Sequence, residues 1–286
     1  MRFPRFKSVA ANKSGLVTAR GWSDVSQAEA DANANARLLR ILAWLKSKRR
    51  DDLDRYSYVI DDVIVEEVLE RVELQGGGEV VVTRNAYGAE ILNTDRVLFV
   101  DVDVPRPKSK RGRLFGLFGG KEPPPYDELI AAKLDDVERW QAEHPDVALR
   151  VYRTHSGLRV VVLNEPFAPD EPRGAAVLDG LCTDDLYRSL CRRQRCSRAR
   201  LTPKPWRIGL KPPALVGAQA NEHRRAEIDA WLREYDRTRD ASAVCREVAT
   251  FGHPAPHPLV AHVLDPRRAQ RRGERQAAGL TRPREM

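Results

Sequence analysis

Val97-Leu98-Phe99-Val100-Asp101-Val102-Asp103 is the stretch on which the reading of this chain turns. Four apolar residues followed by acids at alternate positions predict a buried strand that ends in two carboxylates. Side chains along a strand repeat every second residue, so Asp101 and Asp103 share one face. Two carboxylates converging at a strand tip repel each other unless a cation lies between their oxygens. Hard oxygen donors of this kind suit Mg2+ or Mn2+. The plainer reading is that both acids end a strand and face water.

Toward the N-terminus, the turns Asn85-Ala86-Tyr87-Gly88 and Asn93-Thr94-Asp95 separate the apolar runs 79–83, 89–92 and 98–102. This pattern predicts a meander of antiparallel strands whose last member carries the acids. Before it, Val63, Val68, Leu69 and Val72 fall at helical spacing over 63–74, closed by Gly76-Gly77-Gly78. Ser26 and Glu29 have capping-box spacing, and Leu38, Leu39, Ile41, Leu42 and Leu45 recur every three or four residues. They predict a helix over 26–48, stopping among cations that suit its negative end. A Lys13-Ser14-Gly15 turn predicts a hairpin within 6–22.

Beyond the acids, 105–125 combines prolines, glycines and a basic run, which predicts a mobile loop over the strand tip. A helix is predicted over 126–143, with Leu129, Ile130, Leu134, Val137 and Trp140 on one face. A strand over 147–152 then leads into Arg153-Thr154-His155-Ser156-Gly157-Leu158-Arg159-Val160-Val161-Val162-Leu163. This is a hairpin with a tight polar turn, and if it lies beside 97–103 the turn reaches the acids. His155 is then available as metal ligand, proton shuttle or nucleotide contact, with an ordinary surface histidine as the alternative. Arg153 and Arg159 suit phosphate because the guanidinium fork matches two oxygens.

Asp170-Glu171-Pro172 and Thr183-Asp184-Asp185 each open a helix, so Asp184 and Asp185 read as helix-start residues. The segment 198–207 is read as extended. It interleaves Arg198, Arg200, Lys204 and Arg207 with Trp206, a pattern suited to stacking bases and binding phosphates. The competing reading is a proline-rich connection whose Trp206 belongs to the core. A charged helix over 221–239 and a strand over 243–251 complete the elements. Cys245, His253, His257, His262 and Asp265 suggest a zinc site by residue type, but three prolines among them and the lack of a Cys-x-x-Cys or a helical His-x3-His argue against it.

The composition allows a sizeable core, with 286 residues of which 42% are hydrophobic. No apolar run is long enough for a membrane span, and four cysteines in a chain this long form no disulfide framework, which suits a reducing cytoplasm. The net charge of +8 is clustered near 105–121, 188–207 and 267–284. That distribution points to a polyanionic partner, nucleic acid or nucleotide phosphate, and equally fits arginines on ordinary solvated faces.

Taken together, the strand ending in Asp101-x-Asp103, the helix after it and the Thr154-His155-Ser156-Gly157 hairpin resemble the archaeo-eukaryotic primase superfamily of primase-polymerases. The resemblance spans 97–163. It implies that Asp101 and Asp103 hold Mg2+ or Mn2+, that Ser156 and Gly157, with Arg153 and Thr154, form a nucleotide-phosphate turn, and that a following histidine contacts the nucleotide. Here Gly157-Leu158-Arg159 stands where Gly-Leu-His is usual, so that role falls to Arg159 or His155. The family's third motif, an Asp on a later strand, has no match.

The expected protein is therefore a single α+β domain over 1–265, with a mixed, mainly antiparallel central sheet flanked by helices and a disordered basic tail over 266–286. The expected function is a metal-dependent nucleotidyltransferase of primase-polymerase type acting on nucleic acid and nucleotides. Two alternatives stand beside it: a non-catalytic nucleic-acid-binding or replication-accessory protein on the same fold, and a metal-dependent nuclease.

Overall fold

Alternating apolar residues form strands and three-to-four spacing forms helices wherever a complementary surface exists to bury them. The computed structural model describes residues 1–47, 61–106, 124–212, 224–252 and 255–265. The predicted loop over 105–125 and the tail over 266–286 lie almost wholly outside the described residues. Strands β1 (Phe6–Ala11) and β2 (Thr18–Ser23) pair and carry helix α1 (Gln27–Ser47). Ala30, Ala34 and Leu38 of α1 are its buried stripe. The helix lies so close that a Cβ on Gly21 of β2 would sit 2.2 Å from the Ala34 nitrogen, which explains the glycine there.

A four-stranded sheet follows, in the order β3 (Glu67–Glu73), β4 (Glu79–Arg84), β5 (Glu90–Thr94) and β9 (Ser197–Arg200). A second four-stranded sheet holds the acids, in the order β10 (Cys245–Phe251), β7 (Leu149–Thr154), β8 (Gly157–Val162) and β6 (Phe99–Asp103). One face of this second sheet is covered by α2 (Tyr126–Glu143) and α3 (Pro172–Gly180). There Leu98, Val100, Val102, Leu149, Val151, Leu158, Val160 and Val162 pack on Ile130, Val137, Val177 and Leu178. On its other face, Phe99 and Val161 meet Val80, Leu92 and Ala199 of the first sheet, together with Leu259, Val260 and Val263 of α6 (Pro258–Leu264). Two further helices, α4 (Asp185–Gln194) and α5 (Arg225–Arg239), complete the described chain. Leu158 is fully buried between layers, and truncating it to alanine costs about 2–5 kcal/mol.

The α+β class and the helices over 26–48 and 126–143 agree with expectation, whereas the sheet architecture differs in three respects. First, every strand pairing among the described residues is antiparallel, and the strands divide into three sheets, so no single mixed central sheet exists. Second, β5 does not turn into β6. It pairs with the distant β9, and β6 joins the other sheet through β8. Third, the predicted helix over 63–74 is largely the strand β3, because pairing with β4 satisfies its backbone and outweighs the local spacing.

Candidate nucleotide site at the tip of β6

Register decides what meets the acids. β8 runs antiparallel to β6 with Arg159 opposite Asp101 and Gly157 opposite Asp103. The predicted neighbour relation between the 153–163 hairpin and the acid strand therefore holds. Asp101, Asp103 and Arg159 share the face that carries Phe99 and Val161, away from α2. The turn is pinned to the acid strand: Val104 N–H donates to the Ser156 carbonyl at 2.8 Å, and Arg106 Nη2 to that of His155 at 3.2 Å. Within the turn Ser156 N–H reaches Thr154 Oγ1 at 3.4 Å. A Cβ on Gly157 would sit 2.0 Å from the Val102 carbonyl oxygen, so this position excludes any side chain and leaves Asp103 without a cross-strand neighbour of its own.

The two acids differ. Asp101 is answered by Arg159, whose Nη2 donates to Oδ1 at 2.9 Å from a side chain only 11% exposed. Asp103 is more open, and its carboxyl titrates above its ordinary range. Loss of surrounding water raises it first, then the charges of Asp101 and Asp184, against weaker relief from Lys204 and Arg159. Asp184 is a third acid in this field. Its backbone N–H donates to the Asp101 carbonyl at 3.0 Å, while its side chain caps α4 by accepting from Tyr187 N–H at 2.8 Å. Its sequence signal was that of a helix cap alone, which hid its position beside the acids.

Facing the acids is a cationic rim. Lys204 lies in the fields of Asp103 and Asp101, yet its ammonium pKa is lowered, by burial and then by Arg200 and Arg207. Arg207 Nη2 reaches Ser156 Oγ at 3.4 Å, joining the rim to the turn. His155 is exposed and its imidazole is pushed down by partial loss of water and by Arg207, Arg106 and Lys204. It is therefore a neutral ring at neutral pH. Asp103 thus keeps excess negative charge at one end of the site, and the Lys204–Arg207 rim keeps excess positive charge at the other.

Two predicted site residues are not brought here. Arg153 sits opposite Leu158, on the α2 face of the sheet, and pairs with Asp127 of α2; strand alternation puts it on the wrong side. Arg198 is a structural partner, its Nη2 donating at 2.6 Å to Glu66 in a nearly water-free setting. Lys204 and Arg207 do reach the site, with Arg200 in their fields, and Trp206 is 54% exposed, which removes the reading of it as core. Tyr87 of the β4–β5 turn meets Trp206, a contact no local pattern announced.

Among the described residues no group of three or more His, Cys, Asp or Glu side chains is disposed to hold a metal ion. Two carboxylates nevertheless suit Mg2+ of the kind bound through one or two protein acids plus substrate phosphates, and the like-charge strain on Asp103 is what a cation would relieve. No protein-family model, curated protein or solved structure matches the chain.

Proposed function

We propose that the chain is a metal-dependent nucleotidyltransferase of primase-polymerase type. The observation that carries this reading is the pairing of β6 with β8, which lays Asp101 and Asp103 beside the Ser156-Gly157 turn and opposite a cationic rim. In this reading Asp101 and Asp103 hold Mg2+ or Mn2+, which when bound neutralises triphosphate charge and activates the attacking hydroxyl. Arg159, Arg207 and Lys204 face the phosphates and spread the charge that develops on them. His155, neutral and exposed at the turn, is positioned to accept or donate a hydrogen bond to the nucleotide.

A second reading rests on one contact. The Arg159–Asp101 ion pair already satisfies one of the two acids, as in a non-catalytic nucleic-acid-binding or replication-accessory protein built on the same fold. Incubation with a primed single-stranded template, labelled dNTPs or NTPs and Mn2+ separates the two. Primer extension by the wild type that falls about a thousandfold in Asp103→Asn, the loss of several kcal/mol of charge stabilisation, supports the enzyme. Retention of the template without extension supports the accessory protein, and shortening of the strand supports a nuclease using the same acids.

A further inference from the structure

Trp206 is the feature of the rim that metal and phosphate chemistry leaves unused. A rigid turn displays it: Pro205–Arg207 is a single 3-10 turn closed by Arg207 N–H to the Lys204 carbonyl at 2.9 Å and Leu210 N–H to the Pro205 carbonyl at 3.0 Å. Pro205 itself is buried, and the preceding Pro203 carbonyl accepts from the buried Tyr235 hydroxyl at 2.6 Å. An indole fixed this firmly yet 54% exposed forgoes the stabilisation that burying it would give. The Tyr87 ring meets it at 5.2 Å between centroids with planes 60° apart, which holds the indole without hiding it.

The surrounding charge points to one ligand class. Lys204 Nζ lies 5.5 Å from the Trp206 ring centroid, and the charge of Arg200 lowers the ionisation of both Lys204 and Arg207. Among the described residues none of these three cations forms an ion pair, and Arg200 Nε is buried without a hydrogen-bond partner. A flat, rigid aromatic surface beside cations that make no ion pair recognises a base together with its phosphates. In a duplex the base faces are occupied by their own stack, so an unpaired strand is the form that fits.

We infer that Trp206, backed by Tyr87 and flanked by Arg200, Lys204 and Arg207, seats an unpaired base of a nucleic-acid strand whose phosphates meet these cations. The base replaces the Lys204 ammonium over the ring, and the ammonium moves to a phosphate. This inference deepens the nucleotidyltransferase reading by naming the strand subsite. It borrows from that reading the idea that a strand is handled here, but needs no metal and no catalysis.

The test is equilibrium binding by the full chain in EDTA, followed by anisotropy of a short labelled oligodeoxythymidine and by tryptophan fluorescence. The wild type is expected to bind, with quenching that disappears in Trp206→Phe when the two proteins are compared. Trp206→Ala is expected to weaken binding about ten- to a hundredfold, the span reported for loss of one base stack. Trp206→Phe, which keeps a stacking face, is expected to lose less, and circular dichroism is expected to match the wild type because the residue is exposed. Absence of binding, equal affinity in Trp206→Ala, or an equal Trp206 dependence for a hairpin duplex of the same length overturns the inference. So does equally strong Trp206 quenching by dTTP alone, which assigns the seat to the incoming nucleotide. Extension measured separately keeps the two proposals apart: binding that depends on Trp206 in a protein that never extends a primer refutes only the enzyme, and extension indifferent to Trp206 refutes only the strand seat.

Discussion

Glu66 and Asp103 are acids set beside cations, and they behave in opposite ways. Burial alone would raise the Glu66 carboxyl, yet the charge of Arg198, the Thr83 hydroxyl and the charge of Arg20 overcome it and hold the group below its ordinary range. Asp103 has Lys204 and Arg159 in its field, yet burial and the like charges of Asp101 and Asp184 prevail and its carboxyl is raised. The first cluster is internally satisfied and the second is not. Residual electrostatic strain is what the proposed metal would relieve, so the contrast separates charges satisfied within the fold from those that are not.

The comparison is broken most severely at Glu66. Glu66→Gln leaves Arg198 nearly buried and without its counter-charge, and the expected loss is about 3–5 kcal/mol in urea unfolding. A loss below ~1 kcal/mol would show that the cluster is not the sealed element described. Asp101→Asn comes next. It strands Arg159, which is as buried as Arg198, but the acid removed is itself more exposed than Glu66, and about 1–3 kcal/mol is expected by the same measurement.

Acid titration sharpens the contrast by sign. Glu66 is held below its ordinary value near 4.5, so the native state binds fewer protons there than the unfolded chain, and its contribution is lost as pH falls through that region. Asp103 is raised above its ordinary value near 3.8, so the native state binds more protons, and stability is lost as pH rises through its raised value. Urea midpoints collected between pH 3 and 7 should therefore show Asp103→Asn removing a penalty on the neutral side, while Glu66→Gln removes a benefit that the wild type has only above the acid range. Identical difference curves would abolish the distinction between the clusters. The smallest stability effect belongs to Lys204→Met. It removes a cation that makes no ion pair among the described residues, so the melting temperature is expected to hold, while the slope of log affinity for an oligonucleotide against log salt falls by about one.

Much of this was legible in local sequence. Asp101 and Asp103 share a face because strands repeat every second residue, and the same rule excludes Arg153 once its register opposite Leu158 is known. Sequence carries the alternation but not the register, so Arg153 and Arg159 looked equivalent when only one faces the acids. The departure from a three-strand meander has a similar origin. Asn93-Thr94-Asp95 has turn chemistry, but whether a turn closes a hairpin or passes the chain to another sheet depends on partners far along the chain, here Ser197–Arg200 for β5. Asp184 shows a further limit, since a residue can cap a helix and lie beside an acid pair while its local pattern announces only the cap. Arg198 and Arg200 stand two residues apart with the same charge, and only the tertiary position of Glu66 tells the structural one from the one without an ion pair among the described residues.

The amide of Asp184 holding the carbonyl of Asp101 ties the start of α4 to the acid strand as one lever. Cys182 stands at the outer end of that lever, two residues before Asp184, and it is the most exposed of the four cysteines, with Cys191 and Cys196 sealed inside and Cys245 partly covered. A dye attached through its thiol would ride on the same segment that grips the strand tip. If the acid end takes manganese as proposed, its loading would be followed optically, without any substrate turnover.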